Sequence, residues 1–483
     1  MKLIISLMII IIGSSLTHAQ NMRVSSLGGM NTVINDETNS LNLYDFGSNP
    51  AWLYMDADYS FLTLSPSYSN TRGSYRRYFD YEGKNVYDLA FTGVKTLGTK
   101  GTFLGYTTYS VEDRINVNRS LKYNTYGGEA FFMMDTTSGN IKYDGPKVGF
   151  IYSLEVLPKL HLGFSAGYRI LKGLKNIYSS SETIFRDVDA EAGLAYQLSE
   201  NVSVGIKTAY FDSQESIEAR STEGIDVEIF NYRGEKHAVK DRAGYIRGKI
   251  RKQGISAGPQ IRIKAGSNWE VAFKAGIRSS NTKIFLQRHQ LDEFQDGYSA
   301  FDGYNAELRS RYELFDGLTF GGSLLYDTDE SWSKNSSRNL KLWDWNTREQ
   351  AAVIGLEYVL PSKNLLLGFE YQAGQMKADS SKYIDGRFNS IVSADRVFRS
   401  GAEYIILSDF SIRAGYNFIH NEFDLITGGK NVTTNLLSAG FEYKVTEITS
   451  VNVFLQYRTI SPENGSDKRN SFNVLTEIKL LSF

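Results

Sequence analysis

Four histidines stand beyond residue 20: His161, His237, His289 and His420. No two have the spacing of a zinc-ligating pair, so the histidines argue against a zinc site. A serine nucleophile is signalled by Gly-x-Ser-x-Gly, which occurs at Gly163-Phe164-Ser165-Ala166-Gly167 and at Gly254-Ile255-Ser256-Ala257-Gly258. That signature works only where a sharp strand-to-helix turn lifts the serine out of the chain. Both copies fall inside runs that alternate like strands, so they read as small residues on one strand face. Asp327-Thr328-Asp329-Glu330 and Asp187-Val188-Asp189 offer the hard oxygen ligands that calcium takes, and they read as solvated acids of turns. No catalytic residue, metal or cofactor is assigned.

The charged residues that remain need a scaffold, and the alternation supplies it. In residues 410–420, Phe410, Ile412, Ala414, Tyr416 and Phe418 share one parity, while Ser411, Arg413, Gly415 and Asn417 share the other. A strand sends successive side chains to opposite faces, so one face is apolar and the other polar. A tilted strand crosses a bilayer in roughly 9–11 residues, about the length of this run. Similar runs at 160–171, 269–279 and 365–376 place Arg169, Lys274, Arg278, Glu370 and Gln372 on the polar parity. A charge in mid-bilayer costs about 2–4 kcal/mol when it faces lipid. Those residues and Arg413 are therefore expected to face a lumen.

Eighteen such runs lie between residues 59 and 483, paired by turns of two to four residues and separated on the other side by long polar loops. The expected fold is all-β: a transmembrane, antiparallel, up-and-down β-barrel of 14–18 strands with a short N-terminal hatch-like segment. The 31 Tyr and 28 Phe suit interfacial girdles, and only seven Pro suits uninterrupted strands. An Ala-Gly pair recurs at 166–167, 192–193, 275–276, 414–415 and 439–440. Glycine on the inner parity leaves room in the lumen or lets a strand pack against something inside.

The chain opens with Lys2, an apolar run from Leu3 to Ile12 and a small residue at Ala19, the pattern of a secretory signal peptide cleaved after Ala19. Residues 1–19 are thus read as the leader, 20–57 as a compact N-terminal segment and 58–483 as the barrel in an outer membrane. Cysteine is absent, which excludes a disulfide framework. The 53 Lys and Arg against 54 Asp and Glu argue against nucleic acid as a partner. Expected partners are outer-membrane lipid and lipopolysaccharide, the latter through Arg76, Arg77 and the basic stretch 249–252.

Ser26-Leu27-Gly28-Gly29, then an acidic polar stretch with Asp36, then Asn49-Pro50-Ala51-Trp52-Leu53, resembles the mature N-terminus of the FadL-like outer-membrane transporter superfamily. The resemblance implies that Leu27, Gly28, Gly29, Asn49, Pro50 and Ala51 belong to a hatch plugging the barrel, and that hydrophobic, fatty-acid-like small molecules are admitted past it. Related barrels of secretion systems share the motif, which implies the alternative of a non-catalytic barrel binding a partner protein. Phe483 looks like the terminal aromatic read by the barrel-assembly machinery.

Overall fold

The computed structural model describes residues 46, 48–57, 60–98, 101–175, 180–221, 226–234, 236–288, 292–360, 362, 364–424, 427–463 and 467–481. The leader, Leu27, Gly28, Gly29, Asp36, His289 and Phe483 lie outside them. A 3-10 turn (Pro50–Trp52) runs into the short helix α1 (Leu53–Asp56). The strands follow: β1 (Phe61–Gly73), β2 (Gly83–Thr96), β3 (Thr102–Val117), β4 (Phe131–Met134), β5 (Gly139–Leu157), β6 (Leu160–Lys175) and β7 (Ser181–Ser199). Then come β8 (Val202–Arg220), β9 (Val227–Arg233), β10 (His237–Ala243), β11 (Tyr245–Ala265), β12 (Trp269–Arg288), β13 (Phe294–Phe315) and β14 (Leu318–Asn335). The last are β15 (Leu340–Val359), β16 (Leu365–Lys382), β17 (Arg387–Leu407), β18 (Phe410–Phe423), β19 (Lys430–Thr446), β20 (Thr449–Ser461) and β21 (Arg469–Leu481).

Eighteen of these form one antiparallel sheet, and β4, β9 and β10 form a separate three-stranded sheet. β1 pairs with β2 on one side and β21 on the other, so the large sheet closes into a barrel. Closure leaves the sheet without a free edge, the condition for backbone to lie in lipid. Pairing with one neighbour lapses at Ser65-Pro66 (β1 against β21), Gly145-Pro146 (β5 against β6) and Gly258-Pro259 (β11 against β12).

The apolar parity lies outside. In β18, Ile412 is 41% exposed while Arg413 beside it is 6% exposed. Ile277, Leu324, Ile354 and Leu437 are likewise exposed on the outer surface. The described residues contain no helix long and apolar enough to cross a membrane; the outward apolar rows lie on the strands of the closed barrel.

The strands outrun their apolar alternation. β3 has 16 residues and β13 has 22, up to twice what a tilted crossing requires. The stretches read as long outer loops are therefore largely wall. Beyond the bilayer the outward parity no longer meets lipid, so polar residues occupy both faces and only the backbone ladder continues. Asp327 and Asp329, read as turn acids, accordingly sit within β14. The small sheet comes from the two longest of those stretches, between β3 and β5 and between β8 and β11.

Candidate functional site

The end of the barrel that carries both its termini and its tight turns holds the segment Asn49-Pro50-Ala51-Trp52-Leu53. Asn49 caps the 3-10 turn: its Oδ1 accepts from the Ala51 N–H at 3.0 Å, and Pro50 suits the first position because its missing N–H would go unpaired there. Asn49, Ala51 and Trp52 are fully buried and Leu53 is 5% exposed. Trp52 and Leu53 pack with Val94, Leu104, Ile151 and Ala195 of the inner wall.

Polar contacts fasten the segment across the lumen. The Asn49 Nδ2 donates to the Gln260 Oε1 at 3.0 Å and to the Ile206 carbonyl at 3.3 Å. The same Gln260 oxygen accepts from the Trp52 indole N–H. The Ser153 hydroxyl donates to the Ala51 carbonyl at 2.9 Å. A little earlier in the chain, the Lys274 ammonium donates to the Phe46 carbonyl at 2.9 Å, and Lys274 and Arg309 both lie 4.9 Å from the Phe46 ring centre.

Three glycines make this approach possible. A Cβ on Gly163 (β6) would fall 2.1 Å from the Ala51 nitrogen, one on Gly193 (β7) 1.8 Å from the Asn49 Oδ1, and one on Gly205 (β8) 2.6 Å from the Trp52 ring. Gly193 belongs to the recurring Ala-Gly pair, and Gly163 to one of the Gly-x-Ser-x-Gly matches. Their inner-parity position was legible in the chain. Gly205, Gln260 and Ser153 carried no signal of their own, because their role exists only once β5, β6, β7, β8 and β11 converge on residues 49–53.

Higher in the barrel the inner wall is a set of matched charges. Arg169 pairs with Asp187 at 3.4 Å and Lys274 with Glu307 at 2.7 Å. Arg278 bonds both Asp327 and Asp329; these acids answer an arginine rather than solvent. Glu370 takes the Arg399 guanidinium, and Gln372 bridges Arg399 and Asp395 at 3.2 Å each. Arg413 bonds Glu403 at 3.3 Å and Glu442 at 2.5 Å, with all three side chains at most 8% exposed. The six lumen candidates thus do not form one site: Glu370 and Gln372 share Arg399, and the other four each meet acids of their own. Among the described residues no group of His, Asp and Glu is arranged to hold a metal.

The opposite end is covered by the small sheet. β9 lies between β4 and β10, and an apolar cluster binds it to the wall through Phe131, Phe132, Ile284, Trp343 and Trp345. Buried ion pairs lock the cap: Lys122 to Glu129, and Lys175 of β6 to Asp135 at 2.5 Å. Glu215, beyond the bilayer-crossing part of β8, accepts from the Tyr123 N–H. Burial pushes its carboxyl up to about 7 against the pull of Lys122. Two cavities under the cap hold about 10 and 20 Å³, each room for about one water. Lys252 lines the first and burial pushes its ammonium down to about 8, so part of the basic stretch 249–252 points inward. Arg77 likewise turns into the cap, pairing with Asp80 at 3.2 Å and lying 3.9 Å from the Tyr126 ring centre.

Similar solved structures include a FadL homologue from Pseudomonas aeruginosa at 12% identity, with 94% of this chain and 95% of that one covered and a TM-score of 0.39. The CymD monoaromatic hydrocarbon channel matches at 10% identity over 92% and 94%, with a TM-score of 0.35. The ferric-catecholate import receptor Fiu from E. coli K12 matches at 9% identity over 88% and 82%, with a TM-score of 0.49. These likenesses assign no cargo to this chain. No curated protein sequence matches it. The chain belongs to a family of unknown function (DUF6850), whose pattern spans residues 50–478.

Proposed function

We propose that this DUF6850 barrel is a gated outer-membrane channel in which residues 20–57 form a hatch, and that it admits hydrophobic, fatty-acid-like small molecules past it. The observation that carries the reading is the seat of Asn49, Ala51 and Trp52 on Gly163, Gly193 and Gly205. A wall that gives up three Cβ atoms to admit a peptide, and holds it with a few hydrogen bonds rather than by continuing a strand, is built for a part that can leave. The ladder lapses at Gly145-Pro146 and Gly258-Pro259 flank the panel of β6, β7, β8 and β11 that holds the segment, which lets the panel flex. Arg169, Lys274, Arg278, Glu370, Gln372 and Arg413 act in this reading as wall supports.

The test uses the absence of native cysteine. A disulfide between Ala51→Cys and Ser153→Cys fixes the hatch to β5. Uptake of a panel of hydrophobic substrates by cells is expected to stop in the oxidised form and return on reduction. Equal uptake in both forms, or uptake no different from cells lacking the gene, rules the reading out.

One observation favours a partner-binding barrel as the second reading. The hairpin of β16 and β17 lifts an exposed ring pair, Tyr383 and Phe388, with centres 5.8 Å apart, at 45% and 64% exposure. A stoichiometric protein recovered with the detergent-extracted barrel, and lost with Phe388→Ser, is the result that favours it. Lipid, lipopolysaccharide and the barrel-assembly machinery are further partners on either reading.

A further inference from the structure

We propose that the inner face of β20, β21, β1, β2 and β3 binds an oxyanion, a carboxylate or phosphate group. The register sets Arg458, Ser471, Thr71, Lys84 and Arg114 directly opposite one another on successive strands. Neighbouring strands are about 4.8 Å apart, so this is one continuous row around the seam where the barrel closes. All five share the inner parity: Ser450 and Asn452 on β20 and Glu112 on β3, in phase with them, are buried. The two hydroxyls at the centre bond each other at 3.1 Å. Arg469 stands two residues further out on β21, opposite Gly73. Its guanidinium lies 4.9 Å from the Tyr81 ring centre, with Lys84 and Arg114 each 5.5 Å from the same ring.

Four cations therefore share this stretch of wall with a hydroxyl pair, and three of them meet at the Tyr81 ring. The acids nearby are Glu112, already paired with Arg114 at 2.6 Å, Asp88 on the same parity of β2, and Asp424, which accepts from Tyr75 at 2.7 Å and from Thr427. Lys84 shares the field of Glu112 with Arg114, while Arg458 and Arg469 make no ion pair among the described residues. Elsewhere on the wall, by contrast, Arg278, Arg399 and Arg413 each meet a carboxylate. Like charges gathered on one wall repel each other and favour a bound counter-charge. Arginine forks, an ammonium and hydroxyl donors are the set that carboxylate and phosphate oxygens accept from. The site is independent of the hatch: it requires only the barrel.

Isothermal titration of the full detergent-solubilised chain, measured against empty micelles, tests it with inorganic phosphate, decanoate and decanol. Decanoate binding without decanol binding is the expected result. Phosphate binding in addition identifies a site for free small anions, and its absence identifies an anionic head group of an amphiphile. The variant R458Q/R469Q is expected to weaken anion binding about tenfold or more, on the scale of losing charged hydrogen bonds, while R458K/R469K retains most of it. Heat-modifiable gel mobility checks that each barrel is folded, and Lys84→Gln replaces the double variant if that one is not. No heat with either anion, equal binding of decanoate and decanol, or unchanged affinity in the glutamine variant overturns the site. None of those results touches the hatch, which the disulfide tests separately.

Discussion

Gly163→Ala is the smallest change that should unseat the interior segment. The new methyl would lie 2.1 Å from both the Ala51 nitrogen and the Pro50 carbonyl carbon. Both are backbone atoms, so no rotamer relieves the overlap and residues 50–51 must retreat by about 1.5 Å to reach van der Waals contact. That retreat breaks the Ser153–Ala51 bond of 2.9 Å and strains the Asn49–Gln260 bond of 3.0 Å, each worth about 1 kcal/mol. It also loosens Trp52, whose full loss from a core costs about 3–5 kcal/mol. A loss of about 3 kcal/mol in seating, two bonds and a fraction of the tryptophan, corresponds to about 150-fold in the population of the released segment. Maleimide labelling of Ala51→Cys, the sole cysteine of that chain, reads this population in intact outer membranes. Labelling is expected to be slow in the parent and faster by about two orders of magnitude with Gly163→Ala, while the barrel keeps its heat-modifiable mobility. Equal rates would show that residues 49–53 do not occupy this seat, and the reasoning from the glycines would fail.

Three further outcomes follow from the wall and the cap. Arg413→Ala leaves Glu403 and Glu442 buried without their cation and should cost about 3–5 kcal/mol, read from urea-unfolding midpoints in lipid vesicles. Ile412→Lys, one residue away but facing lipid, should cost about 2–4 kcal/mol by the same assay; equal tolerance at 412 and at solvent positions would invert the assignment of faces. The Glu215 carboxyl is raised from 4.5 to about 7, chiefly by burial. Between those values the folded form holds a proton that the unfolded form has lost, so this group's stabilisation falls as pH rises through the window. The hydrogen-exchange protection of residues 120–126, taken relative to the intrinsic base-catalysed rate, should fall from pH 5 to pH 8 and lose that dependence in Glu215→Gln.

Much of the architecture was written in the chain. Lipid imposes a strict two-residue period on whatever crosses it, so Phe410 to Phe418 or Leu365 to Ala373 declare a strand and its outer face without any partner strand in view. Eighteen such runs become the eighteen wall strands, and their tight turns follow from the short spacers. Outside the bilayer that imposed period is gone, which is why the upper halves of β13, β14 and β17 and the whole of β4, β9 and β10 were unreadable as strands. Arg278 and Arg413 show the same division at one position: parity alone assigned their face, whereas Asp327, Asp329, Glu403 and Glu442 became their partners only through register between strands. Gly163, Gly193 and Gly205 lie up to 42 residues apart and meet the segment 49–53 because β6, β7 and β8 stand side by side. Local sequence determines which way a side chain points; closing the barrel decides what it meets there.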